Sequence, residues 1–192
     1  MFSGCKSLNN ITIDENNKIF TVKDNVVYSN DRKKLIYYPN SLENKHYTIP
    51  KEVEIIDSNA FSLSNIKSIS FNKDLREIDD KAFYVNLQIK SLFIPENVES
   101  IGRLGFAGSS KLESVVIVSK NITIGEKVFF GCNNLNNVLI VSDEIELKKD
   151  VFEKTKVSQI KVSENYEDSN NQFNGMNINK VLKNLLLKIV KN

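Results

Sequence analysis

Any acid-base or metal chemistry in this chain would have to start from His46, the single histidine among 192 residues. A zinc site of the usual type draws on several imidazole and thiolate ligands, and no second histidine or nearby cysteine is present to supply them. A Ser-His-Asp or Cys-His relay would need His46 to meet a nucleophile held on a sharp elbow, and the sequence carries no G-x-S-x-G pattern or equivalent. The carboxylate pairs Asp79-Asp80 and Asp143-Glu144 fall in turn-like segments, where both acids are expected to be solvated rather than to share a proton. Phosphate loops and dinucleotide fingerprints are likewise missing. The residues therefore predict no catalytic, cofactor-binding or metal-binding group, and a non-enzymatic protein.

The informative residues are phenylalanines. Phe61, Phe83, Phe106, Phe129 and Phe152 are spaced 22, 23, 23 and 23 residues apart. Twelve residues before each stands the last apolar residue of a short run that alternates apolar and polar positions: Ile49, Phe71, Ile94, Ile117 and Ile140. One unit reads I-P-x-x-V-x-x-I-x-x-x-A-F-x-x-C-x-x-L-x-x-I-x-I, and its best copy runs from Ile94 to Ile117. Phe2 anchors a first copy that shows only the second half of the unit, through Cys5, Leu8, Ile11 and Ile13. A period this regular marks a solenoid, in which a single turn buries too little to fold alone and gains stability only by stacking on its neighbours. The closing I-x-I element has the period of a strand with one buried face. The return path shows no run of helical periodicity, so turns and short 3₁₀ pieces are expected there.

The motif resembles that of the BspA-like leucine-rich repeat family, I-P-x-x-V-x-x-I-G-x-x-A-F-x-x-C-x-x-L. Ile94-Pro95, Val98 and Ile101-Gly102 carry it, together with Ala60-Phe61 and Ala82-Phe83, over residues 2–162. Glycine follows the isoleucine only at Gly102 and Gly125, and cysteine is kept only at Cys5 and Cys132. The resemblance implies a cell-surface or secreted protein that attaches to host matrix proteins or to other cells.

The period is interrupted over 14–48, which reads as a hairpin insert. It comprises Lys18 to Val22, a turn at Asp24-Asn25, Val26 to Tyr28, a second turn at Asn30-Asp31, and Leu35 to Tyr38. Cys5 and Cys132 occupy equivalent positions in copies one and five. Rungs of a parallel stack lie about 4.8 Å apart, so the two cysteines are too distant for a disulfide, which needs Cα atoms within about 7 Å. Both are expected to be free, buried thiols. Net charge is +2 with acids and bases interspersed, which argues against nucleic acid and against an anionic surface as partner. The 26 asparagines exceed ordinary usage, and compositional bias accounts for most of them. Asn10 and Asn121 stand in N-x-T acceptor patterns. The sequence shows no signal peptide and no apolar transmembrane run; because it opens inside a repeat, a fragment of a longer protein is the expectation.

Residues 163–176 read as a polar linker or degenerate repeat. Over 177–192, Ile178, Val181, Leu182, Leu185, Leu186 and Ile189 follow helical spacing, which predicts an amphipathic helix that caps the last rung. Partner docking and membrane contact through Lys180, Lys183, Lys188 and Lys191 are the alternatives. The expected architecture is thus a β-rich leucine-rich repeat solenoid over 1–162 with short parallel strands and that terminal helix. On the strand-lined face, one outward column reads Thr12, Ser70, Phe93, Val116, Leu139, Lys161, and a second, Asn10, Ser68, Ser91, Ser114, Asn137, Gln159, is a polar ladder. Phe93, Val116 and Leu139 are expected to form an exposed apolar patch for a protein ligand, unless β-propensity alone placed them there. Adhesion is the leading functional expectation, and an intracellular or truncated scaffolding repeat the alternative.

Overall fold

The computed structural model of the chain describes residues 5, 8, 10–42, 45–163, 166 and 176–181. Three antiparallel strands open it: β1 (Phe20–Lys23), β2 (Val26–Ser29) and β3 (Lys34–Tyr37). Asp24 and Asn25 join the first two with φ of 52° and 61°. Positive φ at both central residues is the geometry whose twist matches that of the flanking strands.

The chain then winds through β4 (His46–Thr48), β5 (Ile55–Ile56), β6 (Ser68–Ser70), β7 (Glu77–Ile78), β8 (Ser91–Ile94) and β9 (Ser100–Ile101). It continues through β10 (Ser114–Val118), β11 (Asn121–Ile124), β12 (Asn137–Val141), β13 (Glu144–Leu147), β14 (Gln159–Ser163) and β15 (Asn177–Val181). Every turn contributes a strand to one or both of two walls. One wall is an eight-stranded sheet in the order β1-β2-β3-β5-β7-β9-β11-β13. The other is divided into β4-β6 and a five-stranded sheet, β15-β14-β12-β10-β8. From β3 onward all pairing is parallel.

The phenylalanines form the spine between the walls. Phe61, Phe83, Phe106 and Phe129 are each at most 1% exposed, and Phe152 is 8% exposed. Centroids of Phe61 and Phe83 lie 4.8 Å apart with rings 10° from parallel, and those of Phe83 and Phe106 lie 4.9 Å apart at 7°. The next two steps are 5.8 Å and 5.7 Å. Tyr38, 23 residues before Phe61, stacks on it at 4.9 Å, so the insert keeps the period. Its strands extend the long wall rather than interrupting the stack. Phe2 lies outside the described residues.

The return segments are turns, each tightened by an N–H that donates three residues back, as Ala60 to Asp57 and Ser62 to Asn59. Left-handed backbone recurs two residues before each ring (Asn59, Lys81, Leu104, Lys127, Asp150) and two after it (Leu63, Val85, Gly108, Gly131, Lys154). This geometry aims alternate N–H groups at the next rung. Asn59, Phe61 and Leu63 donate to Asp80, Ala82 and Tyr84, and the next rung repeats the pattern from Lys81, Phe83 and Val85 to Arg103, Gly105 and Ala107. Gly108 and Gly131 fit such a conformation without strain, whereas Val85, at φ 54°, is β-branched and pays a steric penalty.

Side chains also bridge rungs. Asn72 Nδ2 donates to the carbonyls of Pro50 and Val53, Asn97 Nδ2 to Lys73 and Asn134 Nδ2 to Ser110, which gives several asparagines a structural use. On the outside of the long wall Lys33, Glu54, Arg76 and Glu99 alternate in sign, with Lys33–Glu54 at 2.9 Å and Arg76–Glu99 at 3.5 Å.

Two expectations are corrected here. Residues 177–181 form a strand, not a helix: Ile178 pairs with Ile160 across the β14–β15 ladder and packs on the core. The open edge of β14 offers this segment a row of backbone partners, and such tertiary pairing overrides a local helical spacing. Residues 182–192 lie outside the described residues. Cys5 is exposed, whereas Cys132 is buried, and both are free. Cys132 sits inside the stack and donates its S–H to the Phe106 carbonyl at 3.3 Å.

Three outcomes are expected. Phe106→Ala, within the spine, lowers stability by about 3–5 kcal/mol, and Phe152→Ala, at its less covered end, lowers it by less; urea unfolding curves measure both. Val85→Asn, which tolerates left-handed backbone, raises stability by about 1 kcal/mol, read as a higher thermal midpoint. Burial pushes the Cys132 thiol up to about 12. A thiol reagent at about pH 8 therefore modifies Cys5 in the native protein and Cys132 only on unfolding, as mass spectrometry of the labelled chain will report.

Candidate functional site: the outer face of the five-stranded sheet

Alternation along each strand sends one set of side chains into the spine and the other set outward. In β8, Leu92 and Ile94 are buried while Ser91 and Phe93 face out. Register then lines up one outward residue per rung: Phe93 opposite Val116, Val116 opposite Leu139, Leu139 opposite Lys161, and Lys161 opposite Asn179. The polar ladder is aligned in the same way, Ser91 with Ser114, Ser114 with Asn137, and Gln159 with Asn177. At the other end of this face His46 pairs with Ser68 in β4 and β6.

The apolar column does not have uniform exposure. Phe93 is 45% exposed, Val116 is half-buried, and Leu139 is only 9% exposed. The expectation of three open groups is corrected for Leu139. It packs with Val141, 2% exposed, and with the half-buried Val116 and Val118, all outward residues of β10 and β12. Phe93 owes its exposure to its place on the edge strand of the sheet, because β6 and β8 belong to different sheets. On the inner side of that seam Phe71 takes the position held by isoleucine in most rungs, and it meets Phe83 edge-on at 5.9 Å. The sequence showed this column but not the seam, since pairing between strands is a property of two distant segments.

His46 is exposed. Its Nδ1 lies 2.8 Å from Ser68 Oγ and its Nε2 lies 3.1 Å from Thr48 Oγ1. Hydroxyls thus occupy both ring nitrogens, where a nucleophile relay would place a carboxylate on one of them. Among the described residues no group of three or more His, Cys, Asp or Glu is placed to hold a metal, and no helix is long and apolar enough to cross a membrane. A cavity of about 430 Å³ lies between Ile11, Ile13 and the inserted strands, lined by Phe20, Val27 and Tyr37. Its one carboxylate, Asp57, is 3.3 Å from Lys34 Nζ and so is spent on a salt bridge.

The described geometry places the chain among known proteins. Its sequence matches the BspA type leucine rich repeat region, in six copies, over residues 1–45, 34–159 and 99–188. Among curated proteins none matches significantly. A solved leucine-rich repeat protein from Eubacterium ventriosum is similar at 22% identity and a TM-score of 0.68, over 81% of this chain and 49% of that one. The pneumococcal vaccine antigen PcpA is similar at 24% identity and a TM-score of 0.60, over 92% of this chain and 51% of that one. A leucine rich cell surface protein from Faecalibacterium prausnitzii follows at 25% identity and a TM-score of 0.56, over 94% of this chain and 48% of that one. The chain therefore spans about half the length of the solved structures it matches. With the stacked rings, the two walls and the six matched copies in agreement, the chain belongs to the family of BspA-type leucine-rich repeat proteins.

Proposed function

We propose that this chain is a non-enzymatic module that binds a protein ligand on the outer face of its five-stranded sheet, with Phe93 as the anchor. The observation that carries this reading is a large aromatic side chain, 45% exposed, on the edge strand of the five-stranded sheet. Aromatic residues held this way supply large contact area at low entropic cost and dominate protein interfaces. Val116, in register beside it, extends the apolar contact, and Ser91 and Ser114 provide a polar rim. Leu139, which is covered, is left out of the contact.

A site on the cell surface or in the secreted fraction, and an adhesive role toward host matrix or cells, fit the family resemblance. The Faecalibacterium relative is described as a cell surface protein. The absence of a relay around His46 and the pairing of Asp57 favour binding over catalysis.

The test compares the wild-type chain with Phe93→Ser and with Phe93→Ser plus Val116→Ser for capture by beads that carry extracellular-matrix proteins. Loss of an interface anchor costs about 2 kcal/mol or more, so capture by Phe93→Ser is expected to fall by roughly thirtyfold with an unchanged thermal midpoint. Equal capture by all three proteins, at equal stability, removes this face from the account.

A further inference from the structure

Two of the large apolar side chains left open to solvent, Tyr84 and Leu87 at 37% and 44% exposure, share one return turn and belong to neither wall. Tyr84 directly follows the spine ring Phe83, and the half-buried Phe130 follows Phe129 in the same way two rungs on. Between them the equivalent position holds Ala107, whose methyl group is buried, so two rings stand on either side of a low rung. The next position on each turn is left-handed throughout and reads Leu63, Val85, Gly108, Gly131, Lys154. That conformation does not demand glycine, because leucine, valine and lysine adopt it on the neighbouring turns. The paired glycines thus leave a floor without side chains where the other turns carry one. A Cβ atom at Gly108 would fall 3.0 Å from Val85 Cγ2, so Val85 leans over one end of this floor. Lys154 reaches in at the other end, with Nζ 4.7 Å from the centroid of the Phe130 ring.

We propose that this trough docks a proline-rich peptide segment in the polyproline II conformation, laid along the stacking axis with a carboxylate at its Lys154 end. Pitch is the first support. Two rung spacings amount to about 10 Å, and the spine rings beneath step by 4.9 and 5.8 Å. One turn of polyproline II, three residues at about 3.1 Å each, advances about 9 Å, so successive turns of the ligand fall against Tyr84 and Phe130. An extended strand repeats its faces every 6.7 Å or so and misses the second ring. A proline-rich segment is also ordered before it binds, which is why aromatic-lined grooves take it at low entropic cost. Charge is the second support. Lys127, 5.7 Å from the same ring, is held by Asp150 at 3.8 Å. Lys154 stands in line with the glycines, whereas Glu153 stands in line with the rings, so a ligand carboxylate is accepted on the glycine line and repelled on the other. Val85, strained at φ 54°, supplies an apolar wall that asparagine would not. The inference does not depend on the binding role given to Phe93, which faces out from the five-stranded sheet.

Fluorescence anisotropy of the full chain with the labelled peptide PPAPPAPEE tests it, against a copy in which every proline is alanine. Saturable binding of the first, roughly tenfold tighter or more than of the second, is expected. Tyr84→Ser is expected to weaken it about tenfold or more, and Phe93→Ser to leave it unchanged. Lys154→Glu is expected to weaken binding of PPAPPAPEE but not of the same peptide ending in two lysines. Val85→Asn is expected to weaken binding about threefold or more while raising the thermal midpoint, a combination that a merely structural role does not produce. Phe130→Ser serves as a second ring variant should Tyr84→Ser lower the thermal midpoint. No saturation up to about 1 mM, equal affinity for the alanine copy, or undiminished affinity in both ring variants overturns the inference. Self-association of the wild type that is lost in Tyr84→Ser, without peptide binding, overturns it too and assigns the trough to a second copy.

Discussion

A row of aromatic rings seated face to face at a spacing set by the backbone is the contact on which the remainder of this protein depends. Parallel strands impose a repeat of about 4.8 Å, and flat rings are among the few side chains that can occupy that interval again and again without leaving voids. Between Tyr38 and Phe106 the centroid steps are 4.9, 4.8 and 4.9 Å, so strand spacing and ring spacing coincide. Toward Phe152 they lengthen to 5.8 and 5.7 Å. Within the row each ring is covered by the rings before and after it, and Phe152, the last of the described row, is the most exposed. That is why the fold is cooperative along its length and why one unit has no stable existence by itself.

Backbone hydrogen bonds supply the second half of the constraint. Left-handed residues on either side of each ring rotate N–H groups along the stacking axis, so even the segments without regular strands are tied rung to rung. The close approach this produces is visible at Gly102, where a Cβ atom would fall 2.5 Å from the backbone nitrogen of Asp80. Glycine after the isoleucine is thus a steric requirement at Gly102 and at Gly125, where a Cβ atom would fall 2.7 Å from the Ile101 carbonyl oxygen.

The architecture was legible because the strongest signal, a phenylalanine every 22 or 23 residues, is the spine itself. The hairpin turn at Asp24-Asn25 could be read from residue types that accept positive φ. What escaped was less local. Tyr38 continues the period, yet a tyrosine in a Tyr-Tyr-Pro context does not look like the Ala-Phe of the other copies. The corner strands Ile55–Ile56, Glu77–Ile78 and Ser100–Ile101 are two residues long, too short to display any alternation. In Asn177–Val181 the helical spacing of Ile178 and Val181 does not fit one strand face, and it is the waiting edge of β14 that makes the segment a strand. At the candidate site the outward column is in register from Phe93 to Lys161, but Ser70 falls in a separate sheet, Thr12 lies in no strand, and Leu139 is buried rather than open.

The division of one wall has a mechanical consequence. Between Ser70 and Phe93 the short-sheet side lacks the ladder that links every other pair of neighbours there, while on the opposite side β5, β7 and β9 run on without a gap. A coil that is stitched along one flank and slit along the other flexes most easily at the slit, and it does so by opening it. The aromatic group of Phe93 stands on the lip of that slit.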